Sequence, residues 1–177
     1  MKKLLLLAGI LAISGVAFSA DANLQVKAQI IKPLTISTEP VDFGILVAGQ
    51  DYADTREGNG KNGKISLSGG AKENISLKVE GFDAEGVGKG AGIYLTNINN
   101  PDSKLIATLA SDDTIHGHNY GVNLAKMFDQ PFPLDENGSL EFPVYGILGN
   151  GVPDNAAPGQ YTGTIKVTAD YEFNSGK

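Results

Sequence analysis

The 177 residues carry 14 Lys and Arg against 20 Asp and Glu, a formal charge of −6, and no cysteine. This balance argues against nucleic acid as a partner, because phosphate binding needs a basic face. The missing thiols exclude disulfides, thiolate metal sites, thiol catalysis and lipidation at a cleavage-site cysteine.

Residues 1–22 read as a secretory signal peptide: Lys2 and Lys3 form a basic start, Leu4 to Ala17 an apolar run, and small residues follow, with cleavage somewhere after residues 19–22. The apolar run is about 14 residues against the roughly 20 that a spanning helix needs. The chain is therefore expected to be exported and not membrane-spanning. About 155 residues remain, enough for one domain with its own core.

The mature chain opens with Asn23 to Lys32, where Leu24, Val26, Ala28 and Ile30 alternate with Gln25, Lys27, Gln29 and Ile31. Period two puts one set on a single face of a strand. Pro33 interrupts the run. Alternation resumes at Leu34 and Ile36 and again at Val41, Phe43, Ile45 and Val47, broken by the Glu39–Pro40 corner. Gly49 to Gly63 reads as a polar loop. Lys64 to Ser68 and Asn74 to Val79 read as two short strands around Gly69–Gly70, together resembling a hairpin.

Gly81 to Gly92 carries five glycines and reads as a mobile loop, followed by a strand over Ile93 to Ile98. Leu105, Ile106 and Leu109, like Val122 to Phe128, suit helix or strand equally well. Asp135-Glu136-Asn137-Gly138 is a hairpin-turn signal. Leu140, Phe142, Val144 and Ile147 mark the next strand, where Pro143 suggests an edge or a bulge. After a loop over Gly149 to Gly159 comes the strongest pattern in the chain: Tyr161, Gly163, Ile165, Val167, Ala169, Tyr171 and Phe173 alternate with polar residues, predicting one long half-buried closing strand. Short strands joined by turns, with no sustained helical period, predict an all-β fold, an immunoglobulin-like β-sandwich over 33–177.

Few residues carry chemistry. His116 and His118, beside Asp112 and Asp113, form the one cluster resembling metal ligands, since positions i and i+2 of a strand share a face. Gly117 suggests a turn and no third ligand is fixed by spacing, so solvated loop histidines are the preferred reading and no metal is expected. The acidic turns lack calcium-loop spacing, with Gly138 fourth in its run rather than sixth. A hydrolytic triad would have to take its base from the same two histidines, and there is no Gly-x-Ser-x-Gly elbow. Neither an enzyme nor a cofactor is expected.

Both ends of the mature chain resemble a known family. Leu24-Gln25-Val26-Lys27-Ala28-Gln29-Ile30-Ile31-Lys32-Pro33-Leu34-Thr35-Ile36 with Val41-Asp42-Phe43-Gly44, and Ala157-Pro158-Gly159-Gln160-Tyr161-Thr162-Gly163-Thr164-Ile165-Lys166-Val167-Thr168, look like the secreted bacterial family catalogued as domain of unknown function 4402. They are similar, more distantly, to major subunits of the alternate chaperone-usher fimbriae. The fimbrial resemblance implies a structural subunit of a surface fimbria, with adhesion as an associated role, in which the N-terminal strand of one subunit completes the sandwich of the next. It places Leu24, Val26, Ala28 and Ile30 on the donated strand. It also implies a periplasmic chaperone that pairs with the closing strand, through Tyr161, Ile165, Val167, Tyr171 and Phe173, an outer-membrane usher, and a homo-polymer. The alternative is a secreted monomeric binding module for a glycan or protein, with residues 23–32 folded into its own sheet.

Overall fold

The computed structural model describes residues 24–86, 88, 90–113, 115 and 118–172. The expected signal peptide, His116 and Phe173 lie outside the described residues. Residues up to Ile30 and residues from Ile31 onward form two separate units. In the first, Leu24 to Ile30 has no regular secondary structure, and Leu24, Val26 and Ile30 are 89%, 86% and 96% exposed. The strand expected over 23–32 is not formed over its described residues, 24–32. Alternation supplies the side chains for a strand, but a strand also needs a neighbour for its backbone N–H and C=O groups.

The second unit is built from strands: β1 (Thr35–Glu39), β2 (Ala53–Asp54), β3 (Gly63–Ser68), β4 (Asn74–Glu80), β5 (Ala84–Glu85), β6 (Ala91–Asn97), β7 (Lys104–Asp113), β8 (His118–Asn123), β9 (Phe132–Pro133), β10 (Ser139–Leu148), β11 (Tyr161–Thr162) and β12 (Lys166–Tyr171). One helical turn, α1 (Leu124–Met127), follows β8, its first amide bonds capped by the Asn123 side chain. A nine-stranded sheet runs β1-β3-β10-β7-β6-β11, with β2 on β10, β5 on β6 and β8 on β7. A three-stranded sheet runs β12-β4-β9, and the pairings in both are antiparallel. The fold is the expected all-β, immunoglobulin-like sandwich.

Each sheet turns its period-two apolar face inward. Ile65 and Leu67 of β3, Leu105 and Leu109 of β7 and Phe142 and Val144 of β10 meet Ile75 and Leu77 of β4 in one buried cluster. Phe132 sits at its centre, edge-on to Phe128 at 5.7 Å and to Phe142 at 4.9 Å between ring centroids.

Several local expectations are corrected by the way the chain alternates between sheets. β3 and β4 are consecutive but do not pair: β3 lies between β1 and β10, and β4 between β12 and β9. The Asp135–Gly138 turn forms, with Gly138 at φ 75 and its amide donating to Asp135 O, yet it carries the chain from β9 to β10 across the sandwich rather than closing a hairpin. Turn chemistry specifies a reversal, not which sheet receives the next strand. Pro143 is not at an edge, since β10 is flanked by β3 and β7. It falls where the β7 ladder has ended at Tyr145–Ala110, and Ser111 Oγ donates to its carbonyl at 2.5 Å. The two ambiguous stretches resolve into β7 and into the end of β8 followed by α1.

Within the Gly49–Gly63 loop, β2 pairs with β10 and buries Asp54 and Thr55. The alternating run Val41 to Val47 forms no strand beyond an isolated Asp42–Lys61 bridge. The predicted single closing strand is split. Tyr161 and Thr162 pair with Asn97 and Thr96 of β6, whereas Lys166 to Tyr171 pair with β4. Gly163 marks the crossing: a Cβ there would lie 2.6 Å from Tyr94 O, so only glycine lets the strand pass so close to β6 before it changes sheet.

Candidate assembly groove

The split of the last strand leaves the two sheets unbridged along one side of the sandwich. Between them lies a groove of ≈ 1250 Å³. One wall is β1 with the irregular segment that continues it to Ala48; the other is Pro158 to Val167. Ile93, Leu95, Leu105, Leu109 and Val144 form the apolar floor. On the first wall the irregular segment after β1 leaves Ile45 and Val47 90% and 67% exposed, a costly arrangement for residues of this kind unless something covers them.

The walls are held differently. The first is tied by mutual Asp42–Lys61 backbone bonds of 2.9 and 2.6 Å and by the Gly49 amide donating to Val152 O at 2.9 Å. The second is built around buried Asn97. Its Nδ2 donates to Ala157 O at 3.1 Å and Pro158 O at 3.3 Å, while its Oδ1 accepts from the Asn99 and Asn100 amides at 2.9 and 3.0 Å. The Tyr161 hydroxyl lies 2.6 Å from Ser103 Oγ and donates to Ala157 O at 2.8 Å, and the Ala157 amide donates to Ser103 Oγ at 3.0 Å. A fully satisfied polar network of this kind fixes a loop in one shape.

The rim is charged. Lys64 pairs with Glu39 at 3.2 Å and Glu141 at 3.3 Å, and Lys166 with Glu80 at 3.8 Å. Exposed pairs of this kind add little stability, and they frame the apolar slot with solvated groups.

At the end of the groove marked by Ile36 and Val167, Tyr171 forms a clasp. Its hydroxyl accepts from the Gly70 amide at 2.6 Å and donates to Lys32 O at 2.7 Å, and Lys32 Nζ donates to Ser68 Oγ at 2.7 Å. The clasp fixes the point where the second unit begins.

Of the residues singled out in the sequence, Tyr161, Ile165 and Val167 line the groove, while Tyr171 binds Lys32 O outside its lining. Leu24, Val26, Ala28 and Ile30 are in the first unit, exposed to solvent. His118 opens β8, and among the described residues no group of three or more acidic or imidazole side chains is placed to hold a metal ion. Sequence reasoning missed the floor, which takes residues from three different strands, and missed Asn97, a polar residue whose burial no local pattern announces. The unpartnered alternation of Val41, Phe43, Ile45 and Val47 was the signal available for the first wall.

Away from the groove, Asp54 is a buried charge, its side chain 1% exposed. Arg56 meets it at 2.6 Å while lying over the Tyr145 ring at 4.1 Å, and the Tyr52 hydroxyl donates to it at 3.0 Å. The guanidinium hydrogen bonds hold the Asp54 carboxyl below its ordinary range despite burial. Burial and the bond to Asp112 push the Tyr145 phenol up to about 12. A depressed carboxyl stabilises the fold above its unfolded pKa, and that contribution is lost as pH falls through the folded value. Asp54→Asn is therefore expected to cost about 1–2 kcal/mol at neutral pH, with half-exposed Arg56 limiting the figure, and to flatten the loss of stability below about pH 4. Urea titrations of both proteins across that range measure it.

No family model and no curated protein matches the sequence, so the likeness of the two ends to domain of unknown function 4402 finds no support there. Solved structures do match. One is a chain of the CsuC-CsuE chaperone-tip adhesion subunit pre-assembly complex from archaic chaperone-usher Csu pili of Acinetobacter baumannii, at TM-score 0.44 and 9% identity, covering 80% of this chain and 40% of that one. This chain therefore spans less than half of that protein's length. Another is the CssB subunit complemented with a donor strand from the CssA subunit of enterotoxigenic Escherichia coli colonization factor CS6, at TM-score 0.44 and 17% identity, covering 80% and 86% of the two chains. Likeness at these identities concerns the fold alone.

Proposed function

We propose that this chain is an exported structural subunit of a bacterial surface fimbria that polymerises by strand donation. Leu24, Val26, Ala28 and Ile30 of one copy fill the groove of the next. The observation that carries the reading is an open apolar groove along one side of the sandwich together with a leading segment that forms no strand and whose alternating apolar residues Leu24, Val26 and Ile30 stand in solvent. Burying Leu, Val and Ile, with less from Ala, is worth roughly 5–9 kcal/mol gross, before any ladder hydrogen bonds.

Direction follows from the clasp. The leading segment departs at Lys32, beside the Ile36 and Val167 end of the groove. Copies stacked head to tail bring that segment to the opposite end of the neighbour's groove, near Ala48 and Pro158. The donated strand then runs antiparallel to β12, and the contact is heterologous, so it propagates instead of closing at a dimer. Before assembly, the exposed apolar wall needs cover, the role assigned here to a periplasmic chaperone acting ahead of an outer-membrane usher.

Expressed with its assembly machinery, the full chain is expected to give a ladder of oligomers on unheated denaturing gels, collapsing to one band on heating. Removal of residues 23–32 should abolish the ladder. A single band for both proteins sinks the reading and favours a monomeric binding module.

A further inference from the structure

The chain contains four Asn–Gly pairs, at Asn59, Asn62, Asn137 and Asn150. In such a pair the glycine nitrogen attacks the asparagine side-chain carbonyl carbon. The new C–N bond closes a succinimide ring, the bond to the side-chain nitrogen breaks, and that nitrogen leaves as ammonia with the proton shed by the glycine amide. Water then opens the ring at either carbonyl to give aspartate or isoaspartate. The step needs a near-attack approach and a glycine N–H that is not held elsewhere.

Three of the four pairs are restrained. The Gly138 amide donates to Asp135 O at 3.0 Å and the Gly151 amide to Leu148 O at 3.1 Å. Asn62 Oδ1 accepts from Thr55 Oγ1 at 2.7 Å, and Gly63 is buried in β3 opposite Val144. At the remaining pair the Asn59 side chain is exposed, and neither it nor the Gly60 amide has a hydrogen-bond partner among the described residues. Gly58 precedes it at φ 67 with open space around it, which gives the turn freedom on that side. Gly60 rests on the Thr55 backbone, where a Cβ would come within 2.7 Å. Ring closure must loosen that contact, so it runs slower than in an unfolded chain.

We propose that Asn59–Gly60 is the site at which the folded protein modifies itself by deamidation, ahead of the other three pairs. The position bears on the groove. Asn59 O packs on Gly44, 2.9 Å from where a Cβ would stand, and Lys61, two residues on, makes the paired backbone bonds to Asp42 that tie down the first wall. Isoaspartate inserts an extra methylene into the main chain just before that tie, and either product adds a negative charge to the turn.

The test is peptide mapping of the mature protein held at mildly alkaline pH, folded and in concentrated urea, with isoaspartate read by methyltransferase labelling. In the folded protein Asn59 is expected to convert at least about fivefold faster than the other three, the factor set by one ordinary hydrogen bond that they must first break. In urea the four rates should converge, and Asn59→Gln should remove the leading product. The proposal is overturned if another pair leads in the folded protein, if the ranking is the same folded and unfolded, or if Asn59 stays intact while the unfolded chain converts. None of these readouts involves assembly, so the fimbrial reading stands or falls separately.

Discussion

Val26→Asp is expected to abolish strand exchange while leaving the melting temperature of the single subunit unchanged. In one copy Val26 is exposed and in no sheet, so a carboxylate there meets only water. In the groove of a neighbour the same carboxylate would face the apolar floor formed by Ile93, Leu105 and Leu109. The loss combines the burial energy of valine, about 1.5–3 kcal/mol, with several kcal/mol for desolvating an unpaired ion. That is on the order of a thousandfold or more in affinity. A labelled peptide of residues 23–32, wild type or with the substitution, titrated into the mature protein measures it. Equal binding of the two peptides would mean that the apolar face of the segment does not enter the groove.

Phe132→Ala acts on the sandwich itself. The ring is fully buried and stacked edge-on between Phe128 and Phe142. Its removal leaves a cavity between the sheets, since the pairing of β9 with β4 holds the backbone in place. The expected cost is about 3–5 kcal/mol, a large share of a total near 5–15 kcal/mol. At roughly 2–4 °C per kcal/mol for a domain of this size, the melting temperature falls by about 6–20 °C. Calorimetry on the mature protein is the check. A fall under about 2 °C would place Phe132 at the margin of the core rather than its centre.

What the sequence made legible is what period two encodes. The inward residues Ile65 and Leu67 of β3, Ile75 and Leu77 of β4, and Phe142 and Val144 of β10 were read from alternation, because burial on one face of a sheet writes itself directly into every second residue. Partner choice was not legible. The β3–β4 connection and the Asp135–Gly138 turn both looked like hairpins, yet each crosses the sandwich, and that choice rests on long-range packing of Phe132 and Leu134 against the opposite sheet. The closing strand shows the same limit in another form. Its alternation is unbroken from Tyr161 to Tyr171, but a strand that changes sheets keeps its inward face throughout, so the pattern cannot mark the crossing that opens the groove. The leading segment shows the converse, since its alternation is clear and yet residues 24–30 form no strand.

The clasp between Tyr171 and Lys32 also sets how the subunit bears tension. A pull applied at Lys32 along β1 is borne by its five residue pairs with β3, whose backbone hydrogen bonds lie across the strands and so perpendicular to the force. These bonds are loaded in shear and must give way together, whereas a strand peeled from its end would lose them one at a time. The second unit thus resists a pull along β1 better than one that peels β1 away from β3.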